Sequence, residues 1–247
     1  MTAIRSSARH DLRATSAGRG TRRASRGFVS IEVAILTPLI LFTLLGFTEL
    51  YLYMRAVSLV EHTAFVLAGS LGQRSQVYYS QSTSDPDNLG SIWNAASLLA
   101  SPLNFGTTPT SRGGPGGVIV SVICDKSVNC AAPGTTASMA AGTPMLTATN
   151  VPTKTNTSVV TWQQSAGYND GTMQTHLNPA SPGTLLPNGW PYRAGDSAIV
   201  VEVFYKYTPF LMTASFWQSA PGLITIYKSV TVYPRTGKPL PLKYSSS

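Results

Sequence analysis

Acidic and catalytic side chains are scarce in this chain. Aspartate and glutamate together number 10 in 247 residues, alongside 3 histidines and 2 cysteines. Past residue 72 the carboxylates are Asp85, Asp87, Asp125, Asp170, Asp196 and Glu202, and their spacing suggests no general acid–base pair. His10 sits in a basic opening segment, His62 beside a long apolar run and His176 in a polar stretch. No Ser-His-Asp ordering, nucleophile elbow, HExxH or dinucleotide fingerprint appears. Gly113 to Gly117 is no phosphate loop, because no Gly-Lys-Ser/Thr follows. Asp85 and Asp87 lack the further spaced oxygens of a calcium loop. Cys124 and Cys130 have no histidine near them in sequence to complete a zinc set. The expectation is a protein that is not an enzyme, with no catalytic, cofactor-binding or metal-binding residues.

What is present begins with a charge asymmetry. Before Gly27 the chain holds seven arginines (Arg5, Arg9, Arg13, Arg19, Arg22, Arg23 and Arg26) against one acid, Asp11; the remainder is close to balanced. The formal charge of +8 therefore resides mainly in that leader. No aromatic residues interleave these arginines, so nucleic acid is not an expected partner. Arg22-Arg23 lacks the aromatic-aliphatic continuation of a twin-arginine signal. Val66-Leu67-Ala68 lies too far from a normal apolar region for a signal-peptidase site. An organellar transit peptide would leave the acid at Glu32 unexplained.

From Val33 to Tyr53 almost every residue is apolar, small or Thr. About 20 such residues cross a hydrocarbon core of roughly 30 Å at 1.5 Å per residue. The basic residues before it keep the N-terminus cytoplasmic and send the rest outward, with inner-membrane lipid as a partner. One helix is expected from Phe28 to Leu71. Pro38 cannot donate to the Ala34 carbonyl, which predicts a kink, with Thr37 near enough to help. Glu49, about 32 Å along the helix from Phe28, reaches the outer interface, followed by Tyr51, Tyr53 and Arg55. Val57, Val60, Ala64, Leu67 and Leu71 then continue an apolar stripe, expected to pack on the chain's own domain, and Gly69 and Gly72 mark the stop.

Glu32 is the informative residue. A carboxylate at the start of a span costs on the order of 2–4 kcal/mol. One reading has it snorkel to the interface near Arg26. The other has a peptidase cut after Gly27 and free the amine of Phe28, a cation one helical turn from Glu32 or beside the same residue of a neighbouring subunit. Basic leader, Gly27, Phe28 and Glu32 resemble the class III signal of type IV pilins and pseudopilins. Glu32, Pro38, the aliphatic block Leu39 to Leu45 and Gly46-Phe47-Thr48-Glu49 resemble, more narrowly, the TadE-like pilus-assembly proteins. The run Val201-x-Val203-x-Tyr205-x-Tyr207-x-Pro209 is similar to a segment near the end of that family.

The resemblance implies a minor pilin or pseudopilin of a tight-adherence pilus in the bacterial inner membrane, its C-terminal part periplasmic or carried into a fibre. Its implied partners are a prepilin peptidase, other pilin-type subunits and the assembly platform. Gly27, Phe28 and Glu32 would be its processing site, and Pro38, Gly46 and Glu49 its helix-packing positions. Two alternatives remain: an uncleaved, signal-anchored periplasmic binding domain, and a type II secretion pseudopilin.

The expected fold is α+β: a long N-terminal transmembrane helix, then a small exported domain with an antiparallel β-sheet. The expected segments are a cleaved leader 1–27, the helix 28–72, the domain 73–237 with loop-rich insertions, and an extended or disordered tail 238–247. Ile92, Trp93, Ala96, Leu99 and Leu103 suggest a short helix after the turn at Asp85 to Asn88. Val118 to Cys124 and Ser158 to Gln163 read as strands. Ile199 to Thr208 and Ile224 to Val232 read as an antiparallel pair. Cys124 and Cys130 would close a small loop by a disulfide in an oxidising compartment, the alternative being two free thiols. Trp190 and Tyr192 are expected to pin a loop-rich insertion, 167–192, to the core.

Overall fold

A computed structural model of the chain describes residues 24–107, 115–125, 158–167, 173–177, 185, 197–210 and 222–244. The chain separates into two compact units, Met1–Thr48 and Glu49–Ser247.

The described part of the first unit is helical and belongs to α1, Ala24–Gly72. The helix thus begins inside the expected leader, before Phe28. Its side chains from Ser30 to Thr48 are exposed throughout, Ile31, Phe42 and Phe47 among them. By length and composition the stretch Ser30–Gly72 is a candidate membrane span. α1 runs through Pro38 without a break. Thr37 does not serve the carbonyl that Pro38 frees; its Oγ1 donates to the Val33 carbonyl at 2.7 Å, four residues back on its own face. Thr43 and Thr48 bond back to Leu39 and Leu44 in the same way, so these hydroxyls are satisfied within the helix.

The second unit is an α+β domain with an antiparallel sheet. Along its part of α1, Ala56, Val60, Ala64, Leu67 and Leu71 are buried, the spacing of one helical face. They pack in one core with Val118, Val120 and Val122 and with Ile199, Val201 and Val203. These come from β2 (Gly116–Asp125) and β4 (Ser197–Tyr207), the central strands of a sheet ordered β3-β2-β4-β5, with β3 at Ser158–Ala166 and β5 at Ile224–Val232. All three pairings are antiparallel. β1 (Val77–Tyr78) follows α1, and α2 (Leu89–Leu99) adds Leu89, Ile92, Trp93 and Ala96 to the same core. The alternate residues of β2 and β4 face the other way, where Ile119, Ile123, Val200 and Phe204 meet Met173 and Leu185. A register shift at Val122/Ile123 lets β3 serve both faces, Trp162 on the α1 side and Val160 on the other.

Close backbone approach requires glycine at Gly90 and favours it at Gly72. A β-carbon on Gly72 would sit 3.2 Å from the Tyr233 carbonyl, and one on Gly90 would overlap the Gln81 carbonyl. Gly72 ends α1, as its position suggested; Gly69 lies inside the helix.

The C-terminal tail takes the extended of its two expected forms, but packed into the domain. Residues 238–244 are built into the domain rather than disordered. Leu240 is 1% exposed, and the Trp162 indole Nε1 donates to its carbonyl at 2.6 Å. β6, Leu242–Lys243, then pairs in parallel with β1. Pro239 and Pro241 hold the chain extended on either side of Leu240, and one deeply buried leucine outweighs the polar composition on which the expectation rested.

Candidate functional site

Gly27 and Phe28 lie in the first two turns of α1, and Glu32 lies on its exposed surface. Phe28 and Glu32 stand four positions apart along α1, a little over one helical turn. Pro38 and Gly46 follow in the same exposed stretch, and a β-carbon on Gly46 would meet nothing within 4 Å.

Glu49 behaves differently. It is half-buried, and the Tyr207 hydroxyl donates to its Oε2 at 2.9 Å. The Tyr53 ring meets the Tyr207 ring edge-on, with centroids 5.5 Å apart. Glu49 therefore ties the helix to the last residue of β4. Glu49 and Tyr207, each from a segment that carries the family resemblance, meet here at the Tyr207 hydroxyl, which also reaches the Glu49 carbonyl at 3.5 Å. In the sequence Glu49 falls at the expected interface and nothing marks a partner for Tyr207; residues 158 apart leave no local signal of such a bond.

Burial first, then the hydrogen bond to Glu49 and that carboxylate's charge, push the Tyr207 hydroxyl up to about 12. Its ordinary value in an unfolded chain is about 10. A proton held more tightly in the folded state stabilises the fold below about pH 10, and that contribution is lost as pH rises from there through about 12. Tyr207→Phe is expected to cost about 1 kcal/mol at pH 8. The gap between mutant and parent should narrow at pH 11, because the parent is by then losing the same interaction. Chemical unfolding of both proteins at the two pH values measures this; an unchanged gap contradicts it.

A second polar cluster lies on the sheet face away from α1. Glu202, in the middle of β4, is 0% exposed. Its Oε1 accepts from the His176 backbone N–H at 2.8 Å and the Tyr227 hydroxyl at 2.9 Å, and its Oε2 accepts from Thr175 Oγ1 at 2.5 Å. The His176 ring lies against Tyr227, centroids 3.9 Å apart. Burial raises the Tyr227 hydroxyl above its usual range, and the Glu202 charge and hydrogen bond add to it against a lowering bond from Ser229. The signal for this site was in the sequence: Val200, Glu202 and Phe204 share one strand face, so an acid there is flanked by inward-pointing residues.

The other candidates separate. Asp87 pairs with Arg74 at 2.8 Å, and Asp85 Oδ1 accepts from the Asp87 N–H, which closes the turn ahead of α2. Glu61, largely exposed, meets the partly exposed Lys228 at 3.3 Å. Among the described residues no group of three or more His, Cys, Asp and Glu could hold a metal ion. Cys124, buried at the end of β2, is disulfide-bonded. Cys130, Trp190 and Tyr192 lie outside the described residues.

Compared with family models, with curated proteins and with solved structures, the chain matches none.

Proposed function

We propose that this protein is a TadE-like minor pilin or pseudopilin of a tight-adherence-type pilus, acting structurally. The observation that carries the reading is the arrangement Gly27, Phe28, Glu32 at the head of a helix whose next turns are apolar and wholly exposed. A soluble protein does not leave so long an apolar stretch uncovered. A plain anchor has no use for a carboxylate there. The leader holds the precursor in the inner membrane with its N-terminus cytoplasmic, and a prepilin peptidase removes residues 1–27. The freed helix then associates with other pilin-type helices, and the α+β domain faces the periplasm or the fibre.

Co-expression with the cognate prepilin peptidase should yield a membrane protein whose N-terminal sequence starts at Phe28, shorter by 27 residues. Gly27→Ala should slow that cleavage. Retention of the leader beside an active cognate peptidase would favour the uncleaved anchor and sink the proposal.

A further inference from the structure

Contacts along α1 give the α+β domain a direction. In order along the helix, Glu49 accepts from Tyr207, Glu61 pairs with Lys228, and the Gly72 carbonyl accepts from the Arg235 N–H. Tyr207 stands opposite Ile224 in the β4–β5 register, and Lys228 and Val232 follow further along β5. β5 thus runs beside α1 in the same sense. Its Ile224 end lies level with Glu49, and its Val232 end lies toward Gly72.

Several exposed apolar residues stand at the Glu49 end, while nearer Gly72 Phe65 and Tyr233 are exposed as well. Leu223 is 64% exposed and Ile224 38%, and on the helix Tyr51 and Met54 are 63% and 62% exposed. Further along β5, Ile226 is buried, and Val230 and Val232 are partly covered. Lys206, opposite Thr225 in the β4–β5 register, and Lys228 are the charged residues that border this end of the two strands. The exposed Arg55 lies one turn along α1 from Tyr51. Exposed aliphatic side chains at the level of a tyrosine and of basic residues have the composition that settles at a bilayer interface.

We propose that this end of the domain rests in the lipid interface, with Leu223 and Ile224 forming a second membrane contact beside α1. The inference rests on the membrane-anchored reading above and adds to it a defined face of the domain against the bilayer. Lipid is the occupant that fits, because the patch is level with Glu49, near the outer end of the apolar run Val33 to Tyr53. The bilayer is then the nearest apolar phase, with no partner required. The contact holds the domain in one orientation about the helix, so a single face is offered to neighbouring subunits.

The test uses the full-length protein in vesicles of phosphatidylcholine and phosphatidylglycerol, carrying one environment-sensitive label at Leu41→Cys, Leu223→Cys or Ser229→Cys with the native cysteines left oxidised. Ser229 is exposed and sits about 17 Å along β5 from Ile224. Lipids bearing a shallow nitroxide should remove most of the emission at 41 and 223 and little at 229. Quenching at 41 but not at 223 overturns the second contact while anchoring stands. Loss of quenching at all three positions overturns anchoring and the contact together. A label at 223 shielded from aqueous iodide but untouched by nitroxide lipid means that protein covers the patch, which also overturns the proposal.

Discussion

Glu202→Ala is expected to destabilise the α+β domain by about 3 kcal/mol or more, because hydrogen bonds to a charged group contribute roughly 1.5–3 kcal/mol each. Three donors converge on this carboxylate from two parts of the chain: Thr175 and His176 from one segment, Tyr227 from β5. Removing the acceptor leaves a backbone N–H and two hydroxyls to find water in a site where Glu202 itself is 0% exposed. The segment 173–177 loses its polar tie to the sheet, while Met173 still packs against Ile119 and Phe204. Tyr227→Phe removes one donor and should cost about 1–2 kcal/mol. Glu202→Gln keeps one acceptor oxygen and should fall between the two. Denaturant unfolding of the detergent-solubilised protein ranks the three. If the alanine variant loses less than the Tyr227→Phe variant, the carboxylate is not the anchor of that segment.

The fold was legible where side-chain periodicity is strong and local. Ile199, Val201 and Val203 alternate with Val200, Glu202 and Phe204, and the two sets do face opposite sides of β4. The stripe from Val60 to Leu71 packs on the domain for the same reason: each face of an element must find a partner. The tail misled because only Leu240 in it is deeply buried, and composition averages one leucine away. The Glu49–Tyr207 tie was invisible for another reason. A hydrogen bond between residues 158 apart in sequence depends on how α1 lies across the sheet, which no window of sequence encodes. Glu202 lay between these cases: its face was readable, but the donors from residues 175, 176 and 227 were not. The helix head is legible in residue types and their order alone, since its side chains from Ser30 to Thr48 are exposed.

Glu32→Gln is expected to separate assembly from anchoring. Where the carboxylate serves only interfacial solvation, the amide should be harmless, since it is still polar and costs less to bury than a charge. Where Glu32 pairs with the freed amine of Phe28 on a neighbouring helix, the amide leaves that ammonium poorly compensated in a medium of low dielectric constant. Breaking one side of a buried ion pair typically costs roughly 3–5 kcal/mol. At about 1.4 kcal/mol per factor of ten, that amounts to at least a hundredfold loss in association. Membrane insertion should survive, because removing a charge from the head of an apolar helix favours the bilayer. The measurement is co-purification or crosslinking of the mutant with its pilin-type partners, beside a pilus count. Insertion and the N-terminal sequence have to be checked separately, because a processing defect would give the same phenotype. If the correctly processed mutant assembles as well as the parent, the acid has no part in helix pairing and the uncleaved-anchor account of this helix gains ground.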